Sequence, residues 1–129
     1  MLAFASRYDP QPFHLDEEAG KKSLFGGMSA SGWMTAALTM RLMILSEFRF
    51  VHGAIGLGIE SLRWPRPVFA GDELSAMIEV TAMRPSESKP AFGVIKFTTT
   101  TTNQAGEIVL TKVSNVLVPR RVGAKAMAK

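Results

Sequence analysis

The sequence predicts an α+β fold in which one long helix packs against an antiparallel β-sheet, and three observations carry the prediction. Apolar residues recur at spacings of three and four over residues 30–50. The spacing changes to two over residues 73–83, 91–102 and 107–118. No helical stretch separates those strands from one another, so the helix comes early and the strands follow as a run, the element order of a layered α+β domain.

Each element has its own local reason. Residues 1–6 read as the end of a helix. Asp9-Pro10-Gln11-Pro12 then sets two prolines two apart, and each restricts the residue before it to extended backbone, so a stiff loop is expected. After His14, residues 16–22 place Asp16, Glu17 and Glu18 ahead of Lys21 and Lys22, the order the helix dipole favours in a short helix. Gly26-Gly27 breaks the chain. The long helix is marked by Trp33, Ala36, Ala37, Met40, Met43, Ile44 and Phe48. Its first turn is rich in Ser, Gly, Thr and Ala, small residues that either admit a ligand or another backbone, or only permit tight packing.

Downstream of Gly53 the strands begin. Residues 59–64 are a candidate ahead of Pro65 and Pro67. Residues 73–83 alternate Leu74, Ala76, Ile78, Val80 and Ala82 with Ser75, Glu79 and Thr81, the pattern of a strand with one buried face. Asn103-Gln104-Ala105-Gly106 reads as a hairpin turn between the last two strands. The five threonines at 98–102 are expected to form an exposed strand face, since threonine has high β-propensity.

Composition narrows the function classes. At 129 residues the chain predicts one domain, residues 1–120, followed by a basic tail at 121–129. Hydrophobic residues at 47% and charged residues at 20% exclude a disordered chain. The absence of cysteine excludes disulfides, thiolate nucleophiles and cysteine-ligated metals, and fits a cytoplasmic protein. A net charge of +4 is a mild excess, with Arg120, Arg121, Lys125 and Lys129 near the end; no stripe of basic residues interleaved with aromatics points to nucleic acid. The weakly charged stretch 23–40 carries Gly26, Gly27, Ser29, Ser31, Gly32, Thr35 and Thr39, too polar for a membrane span, and no signal peptide is expected at the N-terminus.

The titratable inventory near neutrality is His14 and His52, and Asp9 stands five residues before His14. Prolines at 10 and 12 could aim that carboxylate and imidazole at one water molecule, a pair suited to general acid–base work. The alternative is a turn aspartate beside a structural histidine. Phe25-Gly26-Gly27-Met28-Ser29-Ala30-Ser31-Gly32-Trp33 feeds glycine-rich chain into the start of the long helix. Amides at a helix N-terminus can stabilise an oxyanion, and Gly32 lets a carbonyl oxygen come close; the alternative is an ordinary helix start capped by Ser29 or Ser31.

Tyr8-Asp9-Pro10-Gln11-Pro12-Phe13-His14-Leu15-Asp16, followed by Phe25-Gly26-Gly27 and Ala30-Ser31-Gly32, resembles the signature of the MaoC-like dehydratases, the (R)-specific enoyl-CoA hydratases of the hot-dog fold. Arg63-Trp64-Pro65-Arg66-Pro67-Val68-Phe69-Ala70-Gly71-Asp72-Glu73-Leu74 resembles the family's later strand and turn, so the likeness spans nearly the whole chain. The resemblance implies a hot-dog fold with a long central helix wrapped by an antiparallel sheet, here lacking the family's usual first strand. It implies that Asp9 and His14 hold the water added across the double bond of a trans-2-enoyl thioester, while the Gly32 amide polarises the thioester carbonyl. Phe25, Ser31 and Trp33 flank these groups as candidate substrate contacts.

Two further positions depart from the pattern. Ser31 stands where many members carry histidine, and Met40 where some carry a serine that supports the dyad. The resemblance also implies a homodimer or dimer of dimers, an acyl-CoA or acyl-carrier thioester as substrate, no metal, and no cofactor beyond the substrate's own coenzyme A. Arg63, Arg66, Lys89 and Lys96 are candidate phosphate contacts. Expected activity is therefore hydration or dehydration of an acyl thioester. The alternatives are a hot-dog thioesterase, or a non-catalytic acyl-binding or dimerisation module.

Overall fold

A computed structural model describes residues 1–48, 50 and 53–120; His52 and the tail residues Arg121, Lys125 and Lys129 lie outside them. The N-terminal third is helical, with α1 at Leu2–Tyr8, α2 at Pro12–Leu15, α3 at Glu17–Lys22 and α4 at Gly32–Leu45. Four strands follow, β1 at Ile55–Arg63, β2 at Ser75–Pro85, β3 at Phe92–Thr102 and β4 at Ile108–Pro119, in the sheet order β1-β4-β3-β2. Every neighbouring pair is antiparallel. Among the described residues no helix is long and apolar enough to cross a membrane.

Two local expectations change. Pro12 starts a helical turn instead of prolonging a loop, because a proline at the first helical position gives up an amide that has no partner there anyway. The central helix stops at Leu45 rather than continuing to residue 50. Ser46 ends it: its hydroxyl donates to the Met43 carbonyl at 2.7 Å and accepts from the Phe48 amide at 3.1 Å. Phe48 and Phe50 then fold back onto Phe97 of β3, which lies under the helix.

The inner face of α4 also differs from the apolar stripe in the sequence. Thr35, Thr39 and Met43 are the buried positions, while Trp33, Met40 and Ile44 are exposed. Threonine can face inward because the sheet answers it. Thr39 and Thr101 share a 2.8 Å hydrogen bond between hydroxyls, which offsets the cost of burying both. The threonine run is thus half buried, with Thr99 and Thr101 fully enclosed, and not an exposed face.

In β2 an irregularity between Val80 and Ala82 reverses the alternation, so that Val80 pairs with Phe97 and Ala82 with Lys96 on the other face. The strand lies at the sheet edge, and most of it is exposed. The core gathers in two clusters, Ala30, Val68 and Val109 near the start of α4, and Met43, Phe97 and Val116 near its end. Gly20 of α3 packs directly on the chain at Gly27 and Met28, where a Cβ would come within 2.5 Å of backbone atoms. That contact brings the glycine-rich segment alongside α2 and α3.

A candidate active site at the start of the central helix

Asp9 caps α1, its amide donating to the Ala5 carbonyl at 2.9 Å. The single turn of α2 then carries His14 back toward it, leaving His14 Nε2 3.3 Å from Asp9 Oδ2. His14 is only 5% exposed, wedged edge-on against Phe13 and stacked on Phe25. Its other nitrogen, Nδ1, sits 2.8 Å from the Ser29 carbonyl oxygen. A carbonyl only accepts, so Nδ1 carries a hydrogen, and Nε2 is the ring nitrogen that faces Asp9.

Asp9 is held as a carboxylate. The Ser31 hydroxyl donates to Oδ2 at 2.7 Å and the Gln11 amide donates to Oδ1 at 2.6 Å. The Ser31 bond first, then the Gln11 bond, hold this carboxyl below its usual range against an opposing effect of burial, and the nearby His14 adds a smaller push in the same direction.

Ser31 also caps α4, accepting from the Trp33 amide at 3.3 Å. The Gly32 amide next to it donates to no acceptor among the described residues. Gly32 is glycine for a reason different from the one sequence suggests. The Trp64 indole lies against it, donating from Nε1 to the Gly32 carbonyl at 2.8 Å, and a Cβ there would fall 2.7 Å from the ring.

These groups line one cavity of about 390 Å³, with Asp9, His14, Phe25, Gly32, Trp33 and Trp64 in its wall. Trp33, 56% exposed, is a wall of the pocket and not a core anchor, and its ring meets Trp64 edge-on. All six residues singled out from the sequence therefore converge, though Ser31 touches the acid instead of lining the cavity. Of the candidate phosphate contacts, Arg66 alone lies in the cavity wall, paired to Glu107 at 3.2 Å. Lys96 pairs with Glu60 at 3.0 Å, Arg63 ends β1, and Lys89 sits in the β2–β3 turn; none of the three lines the cavity. Met40 lines a separate groove.

Sequence reasoning missed Gln11, Ser29 as the histidine's acceptor, and Trp64. Gln11 could have been found, since it sits between the two prolines beside Asp9. Ser29 could not, because its backbone carbonyl acts and any residue supplies one. Among the described residues no group of three His, Asp or Glu side chains lies close enough together to hold a metal ion.

The sequence profile of the MaoC like domain matches residues 1–103. The chain belongs to the MaoC-like domain family. A crystal structure of the MaoC-like dehydratase from Rhodospirillum rubrum superposes on this MaoC-like domain with a TM-score of 0.88 at 49% identity, covering 93% of this chain and 82% of that one. The (R)-specific enoyl-CoA hydratase of Aeromonas caviae is 35% identical over 120 residues, 92% of this chain and 84% of the relative. The Bacillus subtilis protein YdeM, of uncharacterized activity, is 31% identical over 93% of this chain and 84% of its own length. The architecture is the hot-dog fold expected from the resemblance.

Proposed function

We propose that this MaoC-like domain adds water across the double bond of a trans-2-enoyl thioester, or removes it in the reverse direction. One observation carries the reading: the Asp9 carboxylate, the His14 ring and Gly32, whose amide has no acceptor among the described residues, line a single cavity beside the helix N-terminus. A water molecule held between Asp9 and His14 can give a hydrogen bond to each. As its oxygen bonds to the β-carbon, its proton passes to His14 Nε2, and the double-bond electrons move toward the thioester oxygen.

The Gly32 amide, at the positive end of α4, is placed to bind that developing oxyanion. The imidazolium then returns its proton to the α-carbon, which completes the addition and restores the neutral ring. The Nδ1–H bond to Ser29 supports His14 as the proton carrier, and the low affinity of Asp9 for a proton suits it to orient water and stabilise the imidazolium. Those two observations support this division of roles between His14 and Asp9.

The carrier is a coenzyme A or acyl-carrier thioester, with Arg66 in the cavity wall as a contact for its phosphates. Ile55, Leu57 and Ile59 are exposed on the edge strand β1, which supports a homodimer paired along that edge. The test is to supply trans-2-butenoyl-CoA and follow its conjugated absorbance and free thiol in parallel. Loss of absorbance without thiol release is the expected result. Thiol release in its place makes the protein a thioesterase, and no change in either signal overturns the catalytic reading.

A further inference from the structure

The rings of Phe13, Phe25, Trp33 and Trp64 stand in the wall of the Asp9 cavity, and with them the wall holds both tryptophans of the chain. Trp33 leaves 56% of its surface uncovered and Trp64 39%, although few side chains gain more from burial. Apolar surface of that size beside an acid and an imidazole is a place for a ligand to lie.

Both indoles are set before any ligand arrives. Trp64 stands between the end of β1 and Pro65, and its hydrogen bond to the Gly32 carbonyl fixes its ring against the first residue of α4. Trp33, the next residue of that helix, meets it edge-on with ring centroids 5.2 Å apart. Phe13 and Phe25 make a second edge-on pair beside His14, also at 5.2 Å. Leucine or methionine in these places would serve an alkyl chain as well. A rigid ring offers in addition a charge quadrupole, which another flat ring matches and a puckered one does not, and little side-chain freedom is lost when it binds.

We propose that the substrate of this site is a β-aryl enoyl thioester, its aromatic ring packed on the Trp33 indole and Trp64 holding that indole in place. The inference rests on the hydratase reading, in which the thioester carbonyl sits on the Gly32 amide. Position then decides between the two flat groups that a coenzyme A ester can bring. Trp33 directly follows Gly32, and an aryl group on the β-carbon stays close to the carbonyl. The adenine lies at the far end of the pantetheine and diphosphate chain, so it reaches Trp33 only if the thioester is seated elsewhere.

The test compares 3-phenylpropanoyl-CoA with 3-cyclohexylpropanoyl-CoA, saturated esters that match in carbon number, differ in the flatness of the ring and cannot be hydrated. Because both tryptophans line the cavity, their fluorescence reads binding to the intact protein, and calorimetry serves for the variants. The phenyl ester should bind about tenfold more tightly than the cyclohexyl ester; Trp33→Leu should erase that preference and Trp33→Phe should keep part of it. Should Trp33→Leu fail to fold, the phenyl-to-cyclohexyl ratio on the unaltered protein still decides. Equal binding of the two esters overturns the proposal. So does a preference that survives Trp33→Leu, or no saturable binding of either ester. Free coenzyme A losing as much affinity as the phenyl ester in Trp33→Leu also overturns it, the outcome expected if adenine takes the indole. Neither ester turns over, so this preference and the hydration of trans-2-butenoyl-CoA can fail separately.

Discussion

Ser31, the residue that caps the central helix, donates a 2.7 Å hydrogen bond to Oδ2 of Asp9, twenty-two positions earlier in the chain. One hydroxyl thus joins the start of α4 to the carboxylate that faces His14. The sequence comparison with hydratases points to Met40 as a place where support for the dyad is lost, and the structure shows Ser31 supplying it from the other end of the same helix.

Ser31→Ala should therefore cost twice. Loss of the helix cap should lower stability by about 1 kcal/mol, read from the midpoint of urea denaturation. A hydrogen bond to a charged group is worth about 1.5–3 kcal/mol, and if that support is felt in the transition state, kcat should fall roughly tenfold or more. Ser31→Thr, which keeps the hydroxyl, should recover most of both, and KM should change little in either variant.

On the proposed mechanism, Asp9→Asn removes the group that orients the water and His14→Ala the group that carries its proton. Each should lower kcat/KM for trans-2-butenoyl-CoA by about 10²–10⁴-fold, the range typical of a positioned acid or base. Circular dichroism should show the native fold in both. The double variant should be little worse than the poorer single one, because the two groups act on one water.

Gly32→Ala should disturb structure before chemistry. The added methyl would meet the Trp64 ring at 2.7 Å, and forced overpacking of this kind costs about 1–3 kcal/mol. Trp64→Ala loses the indole's hydrogen bond to Gly32 and destabilises by itself. In the double variant the clash is gone, so thermal denaturation should show the pair costing less than the sum of the two singles.

Acid should weaken the fold through Asp9. Its folded carboxyl gives up a proton more readily than the unfolded one, whose value is near 3.9, so its contribution is present above about pH 4 and is lost as pH falls toward the lower folded value. Between pH 5 and pH 3 the native protein should lose more stability in urea than Asp9→Asn does. Glu60, held down by Asn115 and then Lys96, titrates in both proteins and drops out of the comparison.

Much of the site was legible because its parts are close along the chain. Asp9, Pro12 and His14 lie within six residues, and Pro12 at the head of α2 makes the turn that returns the imidazole to the acid. The strands were legible for a similar reason, since period-two alternation and the turn at residues 103–106 are local signals, and observed boundaries differ from the expected ones by no more than one residue in β3 and β4. Where β2 carries its irregularity the alternation failed, because a single extra residue reverses every side chain beyond it.

What the amino-acid order determined by itself is the set of elements, the family, and the acid, imidazole and amide that the cavity gathers, because each depends on backbone preferences and spacings within a few residues. Only the tertiary structure decided which face of α4 turns inward, that Trp64 is why residue 32 must be glycine, and that Ser31 holds Asp9. It alone buried Lys112 without a partner among the described residues. These depend on which surfaces meet across the sheet, and a side chain's partner there is chosen by packing and hydrogen-bond satisfaction between segments that no local pattern records.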